Sequence, residues 1–325
     1  QGVRLLRWLI IGGAAALVLP VVALALYSGV IWWNGGRGAP FAEGEITAAA
    51  RPAEERASSR ERQAAGRALV SREDAPQVLF GDLHVHTHYS ADAALQGVNI
   101  REREGPSPPA DACDFARFCS QLDFWSINDH AESLTPAHWR ATVDAVRACN
   151  VSAGDPEDPD LVSYLGWEWS HAASADAHYG HKNVVLRGLE DDEIPARPIA
   201  SAAGPPWAFL GIGTLGVLSS PMPFESFASF HRYALETLAV EDCPTGVSTE
   251  RLPTDCRESA TTPAALFAKL DEWDVPALVI PHGLAWGTTN PPHARLDVQL
   301  SQQDPRWQPL VEVYSGHGNS EVFAP

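Results

Sequence analysis

Lysine and methionine are the two scarcest residues of this 325-residue chain. Met222 is its only methionine, and Lys182 and Lys269 are its only lysines. The formal net charge is −18, so the surface is acidic and repels polyanions. Proteins that bind nucleic acids neutralise phosphates with clusters of Lys and Arg. We therefore expect no nucleic-acid partner. No protein partner is inferred from the sequence.

Several motifs of other functional classes are also missing. None of the cysteines has a Cys-x-x-Cys spacing, which argues against a zinc knuckle. The pair Gly211-x-Gly213 lacks the Gly-Lys-Ser/Thr ending of a P-loop. No Ser-His-Asp set of comparable quality is present. These absences leave a metal centre as the best-supported chemistry.

The five cysteines are compatible with disulfide bonds. Cys243 and Cys256 bracket a loop rich in Pro, Gly and Thr, and we expect them to pair. We expect one of Cys113 and Cys119 to pair with Cys149, which leaves one thiol over. The alternative is that all five are small buried residues.

The most informative segment is Gly81-Asp82-Leu83-His84-Val85-His86-Thr87. It follows the apolar run Val78-Leu79-Phe80, which predicts a buried strand. Residues two apart on a strand point to the same side, so His84 and His86 should present two imidazoles together. Neutral imidazole is the commonest side-chain metal ligand. This pair predicts half of a metal site.

Five further apolar runs predict strands, and most of them begin or end at a possible ligand. The ligand candidates at these strand ends are His130, Glu168, His181 and His282. Helix-like segments separate several runs, with Thr135 placed to cap a helix over 136–149 and Thr262 one over 263–273. Alternating strands and helices indicate an α/β fold with a parallel sheet. Because barrels of this kind carry working residues at their strand ends, the pattern predicts a barrel around one polynuclear metal centre.

These residues resemble the PHP (polymerase and histidinol phosphatase) superfamily. The matching series is His84-x-His86, Asp92, Asp129-His130, Glu168, His181 and Pro281-His282. The segments 80–92 and 312–319 look more closely like a large, uncharacterised PHP-related family known mainly as a domain of unknown function. The resemblance runs from about residue 78 to the end of the chain. It implies a distorted (β/α)7 barrel that holds up to three metal ions, usually Zn, Mn or Fe.

The resemblance also implies a role for each metal-ligand candidate. His84 and His86 would hold the first metal ion, and Glu168 would bridge the first and second ions. His181 and His282 would complete the second site. A third ion would be held by Asp92 and His130.

Three residues are candidates for direct roles in catalysis: Glu168, His317 and Asn319. His317 and Asn319 follow the last apolar run in a Gly-rich turn, where we expect a contact with substrate or support for a ligand. Glu312, in the middle of that run, is expected to be structural or to support a ligand. The superfamily pattern closes with an Asp-x-His that has no counterpart here. We therefore expect the barrel to be C-terminally incomplete and the chain to be a fragment.

Most characterised PHP proteins hydrolyse phosphate esters, so the resemblance implies a metal-dependent hydrolase. The expected reaction is hydrolysis of a small anionic phosphate or sulfate ester by a hydroxide held between two or three divalent ions. One alternative is an amidohydrolase-type enzyme that cleaves C–N bonds. Such centres often bridge their metals with a carboxylated lysine, and Lys182 should point away from the ligands. A further alternative is a non-catalytic, membrane-tethered metal-binding domain.

The N-terminal region predicts an anchor in a lipid bilayer. Residues 8–33 contain no charge and follow a basic end over residues 1–7, which predicts one transmembrane helix or uncleaved signal anchor. A cleaved signal peptide is the competing interpretation, because Ala23-Leu24-Ala25 resembles a cleavage site. Either interpretation exports the rest of the chain, to the periplasmic or extracellular side of an inner or plasma membrane.

The remaining sequence divides into a spacer and a domain. Residues 34–76 are rich in Ala, Arg, Glu and Gly, which predicts a charged, solvated spacer. Residues 77–325 form the predicted metallohydrolase domain, whose length is close to that of a typical (β/α) barrel. A long insertion at about 188–262 is expected to be either a substrate cap or an extra packing element.

Overall fold

A computed structural model describes residue 22 and residues 42–69, 78–97, 107–171, 176–201, 224–284, 295–315 and 318–319. Its helices are α1 (Ala53–Leu69), α2 (Ala91–Gly97), α3 (Pro109–Asp114), α4 (Pro136–Ser152), α5 (Phe224–Leu238), α6 (Pro263–Trp273) and α7 (Leu296–Gln299). A π-helical turn, Phe115–Cys119, continues α3, and a 3-10 turn spans Thr249–Arg251. The strands are β1 (Gly81–Val85), β2 (Phe124–Ile127), β3 (Val162–Tyr164), β4 (Gly166–His171), β5 (Gly180–Leu186), β6 (Ile199–Ala200), β7 (Glu258–Ser259), β8 (Ala277–His282), β9 (Tyr314–Ser315) and β10 (Gly318–Asn319).

Two three-stranded sheets of different type carry the fold. In the order β1-β2-β3, all neighbouring strands are parallel, whereas in the order β4-β5-β8 they are antiparallel. An isolated parallel bridge between His130 and Glu168 joins the end of β2 to β4. The pairs β6-β7 and β9-β10 form small two-stranded sheets. The two larger sheets therefore meet at the residues that the sequence marks as ligands.

The predicted (β/α)7 barrel is wrong: the described strands form small separate sheets and no closed barrel. Parallel neighbours need a crossover connection of about a dozen residues or more. The connection between β4 and β5, residues 172–179, is shorter than that, and the two strands pair antiparallel. Between β3 and β4 only Leu165 intervenes, so no helix separates these strands either. The alternation of strands and helices that a parallel barrel requires is thus broken at β3, β4 and β5.

The predicted N-terminal transmembrane helix also needs correction. No helix in the described part of the chain combines the length and the apolar character needed to cross a bilayer. The longest described helices, α1 and α4, have 17 residues each, fewer than the roughly 20 apolar residues of a membrane span. Residues 8–33 themselves lie outside the described residues, apart from Val22. The membrane location that was inferred from this stretch is withdrawn with it.

Two predicted strands are displaced from their apolar runs. Val78, Leu79 and Phe80 precede β1 and are 41–61% exposed, so the run is not a buried strand. In the run 310–314 only Tyr314 belongs to a strand, and Leu310 and Val311 are about half exposed. In these two cases the apolar run indicated which part of the chain forms a strand, but not the residues at which the strand begins and ends.

Helix α4 forms where its N-terminal signals predict it. Thr135 is extended, its hydroxyl accepts a hydrogen bond from the backbone N–H of His138, and Pro136 occupies the first turn. The buried face of the helix, which includes Trp139, Val143 and Val146, joins the core cluster. That core also holds Trp125, Trp167 and Trp169. The cap of Thr262 on α6 is confirmed in the same way, since its side chain accepts from the N–H of Ala265.

Two disulfides close local parts of the fold, as the cysteine pattern predicts. Cys243 is bonded to Cys256, and Cys113 to Cys149, while Cys119 remains a free, exposed thiol. The first bond closes the loop inside the insertion, and the second ties α3 to α4.

Part of the predicted spacer packs against the domain. The buried guanidinium of Arg117 contacts both oxygens of Asp160 and donates to the carbonyls of Thr47 and Ala49. Arg51 is also buried and donates its backbone N–H to the Asp160 carboxylate. This network fixes the segment 47–51 against the π-helical turn that follows α3 and against the loop before β3, whereas α1 buries none of its residues.

The described part of the insertion reaches the loop that follows β1. The hydroxyl of Tyr233, in α5, donates to the carbonyl of Tyr89 at 2.9 Å. Thr237 donates in turn to the carbonyl of Ser133. Helix α5 therefore packs beside the segments that carry His86 and His130.

Candidate metal centre

Glu168 lies at the centre of the histidine cluster. Its side chain is fully buried in β4. One carboxylate oxygen, Oε2, is 2.9 Å from Nε2 of His86 and 3.4 Å from Nε2 of His84. Both histidines come from the end of β1, where spacing by two places them on one side of the chain. The predicted pair of imidazoles therefore faces a single carboxylate oxygen.

The other carboxylate oxygen of Glu168 faces a second set of histidines. Oε1 is 2.5 Å from Nδ1 of His181, 3.4 Å from Nε2 of His282 and 3.5 Å from Nδ1 of His130. Strand register explains this set, because His181 and His282 are direct partners in the pairing of β5 with β8. The bridge between His130 and Glu168 brings in the third ring. Glu168 thus separates two groups of imidazoles.

Asp92 adds a carboxylate on the side of β1 and β2. It lies in the first turn of α2, with Oδ2 3.1 Å from Nδ1 of His86 and 3.7 Å from Nε2 of His130. The hydroxyl of Ser90 is also 3.3 Å from Nδ1 of His86. The loop after β1 therefore returns to contact the ring that its own strand presents.

The carboxylates and imidazoles strongly affect each other's pKa. Burial alone would lower the pKa of His84, but hydrogen bonds with Glu168 and Glu312 outweigh it and raise the pKa to about 9. The pKa of His86 is likewise raised against the effect of burial, by Asp92 and Glu168. Burial would raise the pKa of Glu168, yet the surrounding histidines hold it well below its usual range. Both Glu168 and Asp92 are therefore ionised at neutral pH.

His282 behaves differently from the histidines of β1. Burial lowers its pKa to about 4, and the favourable charge of Glu168 does not compensate. Its ring is neutral at pH 7, which is the form that binds a metal ion.

The donor atoms fit divalent metal ions. Each of three groups supplies three ligand atoms that lie within 4.8 Å of one another: His84, His86 and Glu168; His86, Asp92 and His130; and His130, Glu168 and His181. Ligands about 2.0–2.2 Å from one ion lie at most about 4.4 Å apart. The pairs measured here, from 2.5 to 3.7 Å, satisfy that limit. Buried Nε2 of His181 has no hydrogen-bond partner among the described residues, which further suits a cation.

The structure brings the seven predicted ligands together. Six of them belong to the three groups, and His282 completes the set through its approach to Glu168. His317 lies outside the described residues. Asn319 belongs to β10, where its backbone pairs with Tyr314, and nothing further is described for its side chain. Catalytic roles for Glu168, His317 and Asn319 stay predictions.

Ser170 is a site residue that the sequence reasoning missed. Its hydroxyl is 2.6 Å from Nδ1 of His130 and donates to Oε1 of Glu168 at 2.6 Å. It therefore connects a ring of the first sheet to the carboxylate of the second. The period of two along β4 places Ser170 on the same face as Glu168, and this signal could have identified it.

Two aspartates close to the ligand histidines accept hydrogen bonds from the segment that carries His84 and His86. Asp82 accepts from the N–H of His84, and Asp129 accepts from both the N–H and the hydroxyl of Thr87. Burial raises the pKa of Asp129 to about 6, although the bonds with Thr87 oppose the shift. The carboxylates of Asp82 and Asp129 therefore fix the backbone around His84 and His86.

The sequence profile of a family described as a protein of unknown function (DUF3604) matches residues 73–138. This match covers β1 and β2 with His84, His86, Asp92 and His130, and it ends before Glu168. No curated protein and no solved structure matches the chain. Nothing in these comparisons bears on the PHP superfamily, so that resemblance stays a prediction.

Proposed function

We propose that this chain binds two or three divalent metal ions, of Zn, Mn or Fe, and hydrolyses small anionic esters of phosphate or sulfate. One observation supports this proposal most directly: the two oxygens of Glu168 face two different sets of imidazoles. A buried, ionised carboxylate with this arrangement is suited to bridge two cations. Histidine and carboxylate donors are suited to Zn, Mn and Fe alike.

Each side of Glu168 would hold one ion. His84 and His86 supply nitrogen donors on the Oε2 side, and His181 and His282 on the Oε1 side. A third ion would lie between Asp92 and His130, whose donor atoms are 3.7 Å apart. Bound divalent ions would supply Lewis acidity, which acidifies water and polarises an ester.

The chain's own groups prepare the centre for an anionic substrate. Glu168 and Asp92 stay ionised at neutral pH and would neutralise part of the charge of bound cations. The remaining positive charge of such ions would attract an anionic ester locally, although the whole chain carries a net charge of −18. An acidic surface with a cationic centre favours small esters over polyanions.

A lysine-bridged amidohydrolase centre is the less well supported alternative. Lys182 adjoins His181 in the sequence, but its side chain points to the opposite face of β5. Nζ of Lys182 donates to the carbonyl of Tyr179 and lies 5.1 Å from the centre of the Trp169 ring. Glu168, rather than a lysine, lies between the two sets of imidazoles, which favours a carboxylate bridge.

The proposal is tested by metal analysis followed by a substrate panel. The purified chain, expressed with supplemented Zn, Mn or Fe, should retain two or three ions after gel filtration. The loaded protein should hydrolyse aryl phosphate mono- or diesters or aryl sulfates faster than matched aryl amides. A chain that retains no metal would refute the proposal. A metal-loaded chain that cleaves only amides, or nothing, would refute its catalytic part.

A further inference from the structure

Glu312 contacts His84 although 228 residues separate the two in the sequence. Oε2 of Glu312 is 2.9 Å from Nδ1 of His84. The backbone N–H of Glu312 donates to the carbonyl of Pro281 at 3.0 Å, which fixes this segment beside β8, next to His282. The contact therefore joins the end of β1, the end of β8 and the segment before β9.

The chemistry of the pair assigns the proton of the His84 ring. The Glu312 carboxylate faces Nδ1 of His84 at 2.9 Å, in a segment that the backbone bond to Pro281 holds in place. An ionised carboxylate can only accept hydrogen bonds. In a neutral His84 ring, Nδ1 therefore carries the proton and donates it to Glu312. The lone pair is left on Nε2, the nitrogen that lies 3.4 Å from Oε2 of Glu168.

We propose that Glu312 is a positioning residue for the first metal ion, because it fixes the tautomer and the orientation of His84. This inference rests on the metal centre of the proposed function and adds to it a residue from the far end of the described chain. A histidine that binds a metal generally donates its other ring N–H to a carboxylate, a carbonyl or water. Loss of such a partner typically weakens metal affinity roughly 10–100-fold.

Two neighbouring histidine rings, those of His86 and His130, are also contacted at Nδ1 by a side-chain oxygen. Nδ1 of His86 contacts Asp92, and Nδ1 of His130 contacts Ser170. In all three rings Nδ1 contacts an oxygen acceptor and Nε2 approaches a carboxylate of the centre. Glu312 thus completes a set in which each ring of the first sheet is oriented through Nδ1.

The test compares Glu312→Leu and Glu312→Gln with the full wild-type chain. Zn²⁺ affinity is measured by competition with a chromophoric chelator, and the visible spectrum of the Co²⁺-loaded protein reports the ligand geometry. Glu312→Leu should weaken Zn²⁺ binding roughly 10–100-fold and alter the Co²⁺ spectrum. Glu312→Gln should recover much of both, because its amide oxygen still accepts from Nδ1–H. Glu190→Gln, an exposed carboxylate on the surface, serves as the matched control and should change neither.

The possible results separate this inference from the proposed function. A wild-type chain that binds no metal would overturn the proposed function itself. A metal-binding wild type whose affinity and Co²⁺ spectrum are unchanged in Glu312→Leu would overturn only the role of Glu312. If Glu312→Leu does not fold, long-range ¹H–¹⁵N NMR of the Zn²⁺-loaded wild type decides, with His84 assigned from Glu312→Gln and His84→Gln spectra. A proton on Nδ1 of His84 supports the inference, and a proton on Nε2 overturns it.

Discussion

The parallel sheet β1-β2-β3 and the antiparallel sheet β4-β5-β8 supply ligands to one centre in different ways. In the parallel sheet, His84, His86 and His130 lie at or just beyond strand ends, and groups from other segments contact Nδ1 of each ring. In the antiparallel sheet, His181 and His282 are register partners, and both contact Glu168 directly. The rings of the parallel sheet are thus oriented by side chains from other segments. In the antiparallel sheet, strand pairing itself places the two rings side by side.

The largest effect is expected from the carboxylate that both sheets share. Glu168→Gln should remove at least one metal ion per chain. The amide is neutral and has a single oxygen, so it cannot bind a cation on each side as a carboxylate can. Elemental analysis of the purified variant measures the loss. The matched control is Glu258→Gln, a glutamate that is equally buried but pairs with Arg197 and Lys269. The control should lose stability and keep its metal. Equal metal content in the wild type and in Glu168→Gln would show that Glu168 is not a ligand shared by two ions.

Single substitutions on each sheet should separate the two sides of the centre. His84→Ala should lose the ion on the Oε2 side of Glu168, and His181→Ala the ion on the Oε1 side. The double variant should lose both, as measured by metal stoichiometry after gel filtration. His171→Ala is the control, since this ring stacks on Trp169 and lies outside the metal-binding groups. If either single variant loses all bound metal, the two sheets do not hold separate ions.

Protons should leave the histidines of β1 when metal binds. In the metal-free chain, hydrogen bonds with Glu168 and Glu312 raise the pKa of His84 to about 9, so this ring is protonated at pH 7.5. The pKa of His86 is raised as well, by Asp92 and Glu168. Zn²⁺ addition at that pH should release protons, which a pH indicator in weak buffer can count, and affinity should rise toward pH 9. Fewer protons should be released in His84→Ala. Metal binding without proton release would show that these rings are neutral or are not ligands.

The same shift predicts how the metal-free chain responds to pH. The folded-state pKa of His84 lies above its ordinary value of 6.5. Its stabilising contribution should therefore be fully present below about pH 6.5 and be lost as the pH rises through about 9. Chemical denaturation of the metal-free wild type and of His84→Ala across this range measures the difference.

The smallest effect on metal binding is expected at the opposite face of β5. Lys182→Met should leave metal stoichiometry unchanged, because the side chain contacts Trp169 and Tyr179 and not the ligands. Burial lowers the pKa of Lys182 to about 7, from an ordinary value of 10.5. Between about pH 10.5 and 7 the unfolded chain binds a proton on this amine that the folded chain does not. The wild type should therefore lose stability as the pH falls through this range, and Lys182→Met should remove this slope. Loss of metal in Lys182→Met would show that the two faces of β5 are coupled.

Local sequence signals predicted the elements that local interactions form. Thr135 and Thr262 cap their helices because each side chain reaches an N–H three residues ahead, which requires no tertiary contact. The His84 and His86 pair faces one way because of the strand period alone. Strand boundaries were less accurate: Gly81 begins β1 where the ring of Phe124 packs so closely that a Cβ would meet it at 2.3 Å. Gly81 and Phe124 are 43 residues apart in the sequence, so the pattern of apolar residues around Gly81 does not reveal this contact.

The amino-acid sequence by itself determined which side chains are available as ligands and roughly where along the chain they fall. Only the tertiary structure decided that β4, β5 and β8 pair antiparallel. A buried strand has the same apolar run whether it pairs parallel or antiparallel with its neighbour. The tertiary structure also decided that Glu312 reaches His84 and that Ser170 lies between His130 and Glu168. Ligand type is a property of the single residue, whereas a metal centre depends on distances between residues far apart in sequence, and packing alone sets those distances.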